Sequence, residues 1–409
     1  MDLSELSLRL RMLAVFRGLL SDPVVEELCT YLDSLENGFP QMMASSYAEL
    51  VCRLYEKGGG DLGLHIQRIV EEDENVYMRT AGLGQTPPAY MRQCVDMELE
   101  TLQAAADLTP ALLQEPLAGM EPLPDFGASR VGLAERYSRR VENVGQYGYG
   151  IYARHHMFYL NAQGKIVPVL HPDDTRLSDL VDYKREQEII LDNTRALLAG
   201  RPAANILLTG DAGTGKSSTV KAVANELHRE GLRILEVRKE QLRDIPAILD
   251  ELSVNPLKFI LFIDDLSFQK DDENYSSLKA VLEGSVSMKS RNVAIYATSN
   301  RRHLVKEKFS DREGDDIHRN DTMQELMSLS ERFGIHITFQ KPNKATYLEI
   351  VHHLAEAGGI ACGREELDLL AERYVLGRGG RSPRAARQFV DGLLSASRNT
   401  LSENFPGIR

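Results

Sequence analysis

Cysteine is scarce in this chain of 409 residues. The four present, Cys29, Cys52, Cys94 and Cys362, lie far apart and form no CxxC pair. That spacing argues against a disulfide framework and a zinc knuckle, and it fits a reducing, cytoplasmic setting. Long apolar runs are missing too. The opening stretch MDLSELSLRLRMLAVFRGLL is interrupted by Arg9, Arg11 and Arg17. It offers neither a signal h-region nor a membrane span and reads as an amphipathic helix. Internal repeats and low-complexity tracts are absent. Positive charge is short in the first part of the chain. Up to residue 175 there are 14 Lys and Arg against 25 Asp and Glu, whereas the remainder has 34 against 35. An acidic half repels phosphate backbones, so global charge gives no support to a nucleic-acid partner.

What is present is ordinary globular material, 43% hydrophobic and 26% charged, in a length that suggests two or three domains. Residues 3–108 read as helical throughout, with apolar residues at helical spacing in SYAELVCRLYEK and PAYMRQCVDMELETLQAAADL. The run EEDEN at 71–75 reads as a solvated helix face. Four prolines in TPALLQEPLAGMEPLPDFGAS mark a linker. GIYARHHMFYL, NAQG and KIVPVL then read as a β-hairpin. His155 and His156 fall in that hairpin. Adjacent strand residues point to opposite faces, so the pair reads as structural rather than as one metal site.

From about residue 178 strands and helices alternate. NILLTG, LRILEV, FILFID, VAIYATS and IHITF are short runs rich in Ile, Leu and Val, the pattern of a parallel sheet covered on both faces. After Phe339 the strands stop and three helices follow. The expected division is a helical N-terminal domain, 1–115, a linker and hairpin, 116–177, an α/β domain, 178–340, and a helical lid, 341–409.

Immediately after the first of these strands stands GDAGTGKSS, followed by the helix TVKAVANELHRE. Gly210, Gly215, Lys216 and Ser217 fit G-x-x-x-x-G-K-[ST] in its strand, loop and helix context. Across Gly210, Asp211, Ala212, Gly213, Thr214, Gly215, Lys216, Ser217 and Ser218, backbone N–H groups can close around phosphate oxygens at a helix N-terminus. Lys216 would reach the β- and γ-phosphates, and the Ser217 hydroxyl would ligate Mg²⁺. Two carboxylates at the end of a buried strand are costly without a facing positive charge, and FILFIDDLSF ends in Asp264 and Asp265. For Asp264 that charge is the metal. Asp265 is placed either to polarise the attacking water or to cap the strand end, and the first reading is preferred. Asn300, at the end of NVAIYATSN, can contact the γ-phosphate and that water. Arg332 in LSERFG precedes an edge strand, from which an arginine can reach a neighbouring subunit's nucleotide. Arg381, Arg384 and Arg387 surround the start of the last helix.

The ordered series of P-loop, paired Asp, Asn and Arg resembles the AAA+ ATPases over residues 178–400. FILFIDDL looks like Walker B, ATSN like sensor 1, LSERFG like the arginine-finger segment and SPRAARQF like the sensor 2 helix of the lid. The resemblance implies that Asn300 is sensor 1, Arg332 the finger acting in trans and Arg384 sensor 2, with Val181 and Tyr183 lining an adenine pocket. ATSNRRHL, DREGDDIH, ILFIDDLSF and LKAVLEGS are more narrowly similar to the stand-alone ATPases grouped as domain of unknown function 815. The wording IDDL is also similar to bacterial replication initiators, but no helix-turn-helix follows the lid. RRHLVKEKFSDREGDDIHRND, with Arg301 and Arg302, reads either as a solvated loop or as a subunit interface. The expected protein is therefore an α/β P-loop AAA+ domain with a C-terminal helical lid and a mainly helical N-terminal domain. It would use ATP and Mg²⁺, assemble as a homo-oligomeric ring or open arc, and act on an unidentified protein client away from membranes. The alternative is a slowly hydrolysing scaffold or loader in DNA replication or repair.

Overall fold

The computed structural model describes residues 2–120, 122–267, 273–283, 291–300, 331–377 and 380–397. Residues 301–330, with Arg301 and Arg302, lie outside them. The chain forms two compact units, Met1–His155 with Val254–Leu257, and His156–Ser253 with Lys258–Arg409. The division falls inside the segment expected as linker and hairpin. The proline-rich stretch clusters with the first unit, where Leu113, Leu117 and Phe126 are buried in its core.

The first unit is helical: α1 (Leu3–Arg11), α2 (Pro23–Asn37), α3 (Pro40–Lys57), α4 (Leu62–Glu72), α5 (Val76–Gly82), α6 (Ala89–Ala106), α7 (Pro110–Gln114), α8 (Leu133–Glu142), α9 (Val144–Tyr147) and α10 (Ile151–Arg154). Its helix starts are written into the sequence. Asp22 accepts Val24 N–H at 3.0 Å before Pro23, Asp61 accepts Leu64 N–H at 2.9 Å, and Asn75 accepts Met78 N–H at 2.9 Å. In α4 Leu62, Ile66, Ile69 and Val70 recur at helical spacing and are all buried. Fully burying each such side chain contributes about 1.5–3 kcal/mol. The EEDEN run is not a solvated face. Glu72 pairs with Arg154 at 2.7 Å and Arg68 at 3.3 Å, and Glu71 with Arg136 at 3.4 Å and Arg140 at 3.7 Å. Three of those partners lie more than sixty residues away, so local charge patterning could not reveal them.

The second unit carries a seven-stranded sheet of order β2-β1-β4-β5-β6-β3-β7. Its strands are β1 (Met157–Leu160), β2 (Ile166–Pro168), β3 (Ile206–Gly210), β4 (Leu232–Glu236), β5 (Lys258–Ile263), β6 (Val293–Ser299) and β7 (Ile335–Phe339). All neighbouring pairs are parallel except β1 with β2. The five apolar runs are thus five adjacent parallel strands. The hairpin differs in two ways from the expectation. Residues Ile151–Arg154 are a helical turn after Gly150 at φ 60°, so strand structure begins only at Met157. Moreover β1 pairs with β4, which makes the hairpin the edge of the main sheet. Alternation marks a strand but carries no information on which neighbour it joins.

Between the strands run α11 (Lys184–Leu198), α12 (Lys216–Leu227), α13 (Ile245–Ser253) and α14 (Glu273–Glu283). Ile190, Val220, Val223 and Leu227 from α11 and α12 pack with Ile206, Leu208, Ile260, Phe262 and Phe339 of the sheet. After β7 come α15 (Lys344–Ala357), α16 (Arg364–Leu376) and α17 (Pro383–Ser397), the three helices read from the sequence. They share a core of Tyr347, Val351, Leu367, Ala371, Phe389 and Val390, which Val181 joins. The mostly parallel sheet followed by a three-helix bundle is the α/β arrangement with C-terminal helices that the sequence leads one to expect. Among the described residues no helix is long and apolar enough to cross a membrane.

Candidate functional site

The chain leaves β3 through Gly210 at φ 141°, Gly213 at φ 80° and Gly215 at φ 94° before entering α12. Gly210 admits no side chain, and Gly213 leaves little room for one. A Cβ at Gly210 would lie 2.1 Å from the Phe339 carbonyl oxygen, and one at Gly213 would lie 3.1 Å from Arg384 Cβ. The loop is braced from within, since buried Thr214 donates through Oγ1 to the Asp211 carbonyl at 2.9 Å.

Lys216, only 5% exposed, folds back over this loop. Its ammonium donates to the carbonyls of Gly210 (2.9 Å) and Asp211 (2.8 Å) and to Asn300 Oδ1 (3.0 Å). All three acceptors are uncharged. Burial pushes the Lys216 pKa below its ordinary value, against the opposing pull of Asp264, Asp211 and Asp265. A buried ammonium with neutral partners is matched to an incoming anion.

Opposite the loop, β5 delivers its two aspartates. Ser217 Oγ donates to Asp264 Oδ1 at 2.6 Å, and the Thr298 hydroxyl donates to the same oxygen. Asn300 Nδ2 donates to Asp265 Oδ1 at 2.7 Å. Asp265 has φ 53°, in the left-handed region that costs a non-glycine residue on the order of 1–2 kcal/mol. Tyr183, at φ 67°, shares that conformation. These are the two non-glycine residues with positive φ among those described, and both line one cavity of about 730 Å³.

That cavity brings together most of the residues singled out in the sequence. Val181, Tyr183, Ala212, Gly213, Thr214, Gly215, Lys216, Ser217, Ser218, Asp264, Asp265, Asn300 and Arg384 line it. Gly210 and Asp211 are not on its surface and instead offer their carbonyls to Lys216. The start of α17 docks on the loop, with Arg384 N–H donating to the Gly213 carbonyl at 3.2 Å. Arg387, one turn on, also lines the cavity. Arg381 does not. It is held by Glu372 through contacts of 2.9 and 2.7 Å and fastens α16 to the start of α17.

Arg332 is placed elsewhere. It is exposed, three residues before β7, whose first residue Ile335 pairs with Ile206 while its last, Phe339, pairs with Gly210. The length of the strand, roughly 13 Å, therefore separates the Arg332 end of β7 from the phosphate loop.

The sequence reading missed the strap leading to α11. Asp173, Asp174, Thr175, Asp179 and Asp182 line the cavity beside Val181 and Tyr183. The strap is anchored by Asn225, whose Nδ2 donates to the carbonyls of Asp173 (2.8 Å) and Thr175 (2.9 Å). The Thr175 hydroxyl, with help from Lys221 and Arg387, holds the Asp173 carboxyl below the usual carboxylate range. His156 supports the anchor, its Nε2 lying 2.9 Å from Asn225 Oδ1. His156 is thus built into the second unit's hydrogen bonding, whereas His155 belongs to the first unit. Among the described residues no group of three or more His, Cys, Asp or Glu could hold a metal ion.

The residues present suit a magnesium nucleotide. Mg²⁺ takes hard oxygen ligands and is commonly held by one or two carboxylates together with substrate phosphates. Ser217 Oγ and Asp264 supply a hydroxyl and a carboxylate side by side, at the N-terminus of α12 where a phosphate gains from the helix dipole.

The model of a protein family described as "Protein of unknown function (DUF815)" matches residues 153–397. Among curated proteins none matches the chain. Among solved structures, the Thermotoga maritima RuvB Holliday junction branch migration motor is similar at 15% identity and a TM-score of 0.37, over 55% of this chain and 65% of that one. A lysine-to-arginine mutant of the same motor is similar at 14% identity and a TM-score of 0.38, over 55% and 66%. The chain therefore spans slightly less than two thirds of the length of the motor.

Proposed function

This chain belongs to the family described as "Protein of unknown function (DUF815)", and we propose that it binds ATP with Mg²⁺ and hydrolyses it to ADP and phosphate, so as to remodel or switch a macromolecular partner. The observation that carries the reading is the buried Lys216 ammonium, held by three neutral acceptors, Asn300 among them, on a cavity that it shares with Asp264 and Asp265.

Each residue has a task that its position supports. The N–H groups of the loop and of the first turn of α12 bind phosphate oxygens. Lys216 exchanges its carbonyl partners for the β- and γ-phosphates. Magnesium, held by Ser217 and Asp264, would neutralise charge on those phosphates. Asp265 accepts a proton from the attacking water, and Asn300, already bonded to both Asp265 and Lys216, sets the distance between base and phosphate. Arg384 brings positive charge from the lid. Val181 and Tyr183 flank the nucleobase. Arg332, away from its own loop, serves the cavity of a neighbouring copy, which implies an oligomer.

A slower scaffold or loader, cycling rarely, is favoured by one feature. Asp265 is a short carboxylate tied to Asn300 in a left-handed backbone, which limits its reach to water. Phosphate release with and without single-stranded DNA separates the two readings. Asp265→Asn tests the shared chemistry: ATP binding should persist while turnover stops. Unchanged turnover would reduce Asp265 to a strand cap.

A further inference from the structure

We infer that Thr298 is a positioning residue that sets both carboxylates of the site through one hydroxyl. The inference rests on the ATP-binding reading above and deepens it.

Thr298 is the sixth residue of β6 and is 2% exposed. Its Oγ1 donates to Asp264 Oδ1 and accepts the Asp265 N–H at 3.0 Å. Its backbone carbonyl accepts the Leu266 N–H at 2.7 Å. Three consecutive residues after β5 are therefore tied to one residue of the neighbouring strand. The two hydroxyl contacts are directional and complementary. A threonine hydroxyl has one proton to give and lone pairs to receive, and here each is used. The donated proton holds Asp264 Oδ1 where Ser217 Oγ also reaches it at 2.6 Å. Asp264 Oδ2 has no hydrogen bond among the described residues. The accepted proton pins the peptide of Asp265 at φ 53°, a conformation that a free aspartate would leave. From there Asp265 Oδ1 meets Asn300 Nδ2 at 2.7 Å.

One side chain thus orients the proposed metal ligand and the proposed base together. Outer groups of this kind commonly change metal affinity or activity about 10–100-fold when removed. Valine has nearly the shape of threonine and lacks the hydroxyl, so it separates this role from packing. Serine keeps the hydroxyl and loses a methyl group.

The test is a Mg²⁺ titration of fluorescent ATP-analogue binding to full-length parent, Thr298→Val and Thr298→Ser, with affinity in EDTA and thermal unfolding measured alongside. In Thr298→Val the Mg²⁺ midpoint should rise about 10–100-fold while affinity in EDTA stays within about twofold. Turnover should fall through kcat more than through KM, and Thr298→Ser should restore both. A Thr298→Val midpoint within about twofold of the parent overturns the inference while the ATP-binding reading stands. A purely structural role would lower EDTA affinity and thermal midpoint together, with no Mg²⁺-specific shift, and equally overturns it. Where Thr298→Val does not fold, Thr298→Ala is read by the same criteria. A parent that binds no analogue overturns the ATP-binding reading, and this inference with it.

Discussion

Glu98 in the helical unit and Lys216 in the α/β unit are both charged side chains buried almost completely, and they are treated in opposite ways. In the helical unit Glu98 is 7% exposed. Its carboxylate accepts the N–H groups of Ala14 (2.7 Å), Val15 (3.1 Å) and Phe16 (2.9 Å), and the Cys94 thiol donates to it at 3.1 Å. Burial and that neighbouring carboxylate push the thiol up to about 11. In the α/β unit Lys216 is 5% exposed, with three neutral acceptors and an open cavity before it. Glu98 meets a chain bend whose N–H groups need an acceptor, so its charge is spent on the fold. Lys216 retains a charge that the fold leaves for something else. A buried ion points to function when its hydrogen bonds go to loop groups that a ligand can replace and a cavity stands open before it.

The largest expected effect probes a cation that is neither buried nor in the cavity. An arginine finger contributes on the order of 10³–10⁵ in rate. Arg332→Ala should bind ATP normally and lose turnover on that scale. Mixing it with Lys216→Ala should return partial activity, because some interfaces then join an intact loop to an intact Arg332. A mixture that stays inactive although the two proteins co-assemble would make Arg332 a structural or cis residue.

Next comes the comparison itself. Glu98→Ala leaves three backbone donors without their acceptor, each worth about 1–3 kcal/mol when buried and unsatisfied. The variant should lose several kcal/mol of stability in denaturant melts followed in the helical unit, while the affinity of the α/β unit for ATP is unchanged. Weakened ATP binding without loss of stability would break the contrast between the two buried charges.

The smallest effect concerns the lid. The Arg381 guanidinium beside Glu372 holds that carboxyl below its usual value of 4.5. A depressed carboxyl stabilises the folded state above its unfolded value, and that stability is lost as pH falls through the folded one. Both groups are partly exposed, so the contribution is modest. Hydrogen exchange in α16 and α17 should accelerate in acid below about pH 4.5, and Arg381→Gln should remove most of that dependence. A pH profile identical in Arg381→Gln and parent would show that the pair does not fasten the lid.

The difference between the units also explains what the sequence could tell. Short Ile, Leu and Val runs identify strands β3 to β6, because a strand covered on both faces needs apolar residues at nearly every position, while β7 at the sheet edge exposes His336 and Thr338 in alternation. Helical spacing identifies the three lid helices and most of the first unit. Lys216, Ser217, Asp264, Asp265 and Asn300 meet because each sits at the carboxyl end of a parallel strand or one loop beyond it. The features that escaped depend on partners remote in sequence. Asn225 holds the Asp173–Thr175 strap from some fifty residues away, and Glu71 and Glu72 look solvated until Arg136, Arg140 and Arg154 arrive. Thr298 lies inside a motif that was read only for its final Asn300, and nothing local shows that its hydroxyl faces Asp264.

The central claim is that Lys216 keeps its charge for a nucleotide. Equilibrium titration of a fluorescent ATP analogue, with Mg²⁺, into parent and Lys216→Ala tests it most directly. The account predicts saturable binding by the parent and none by the variant, with the variant still folded by circular dichroism. Equal affinity in the two proteins would contradict it.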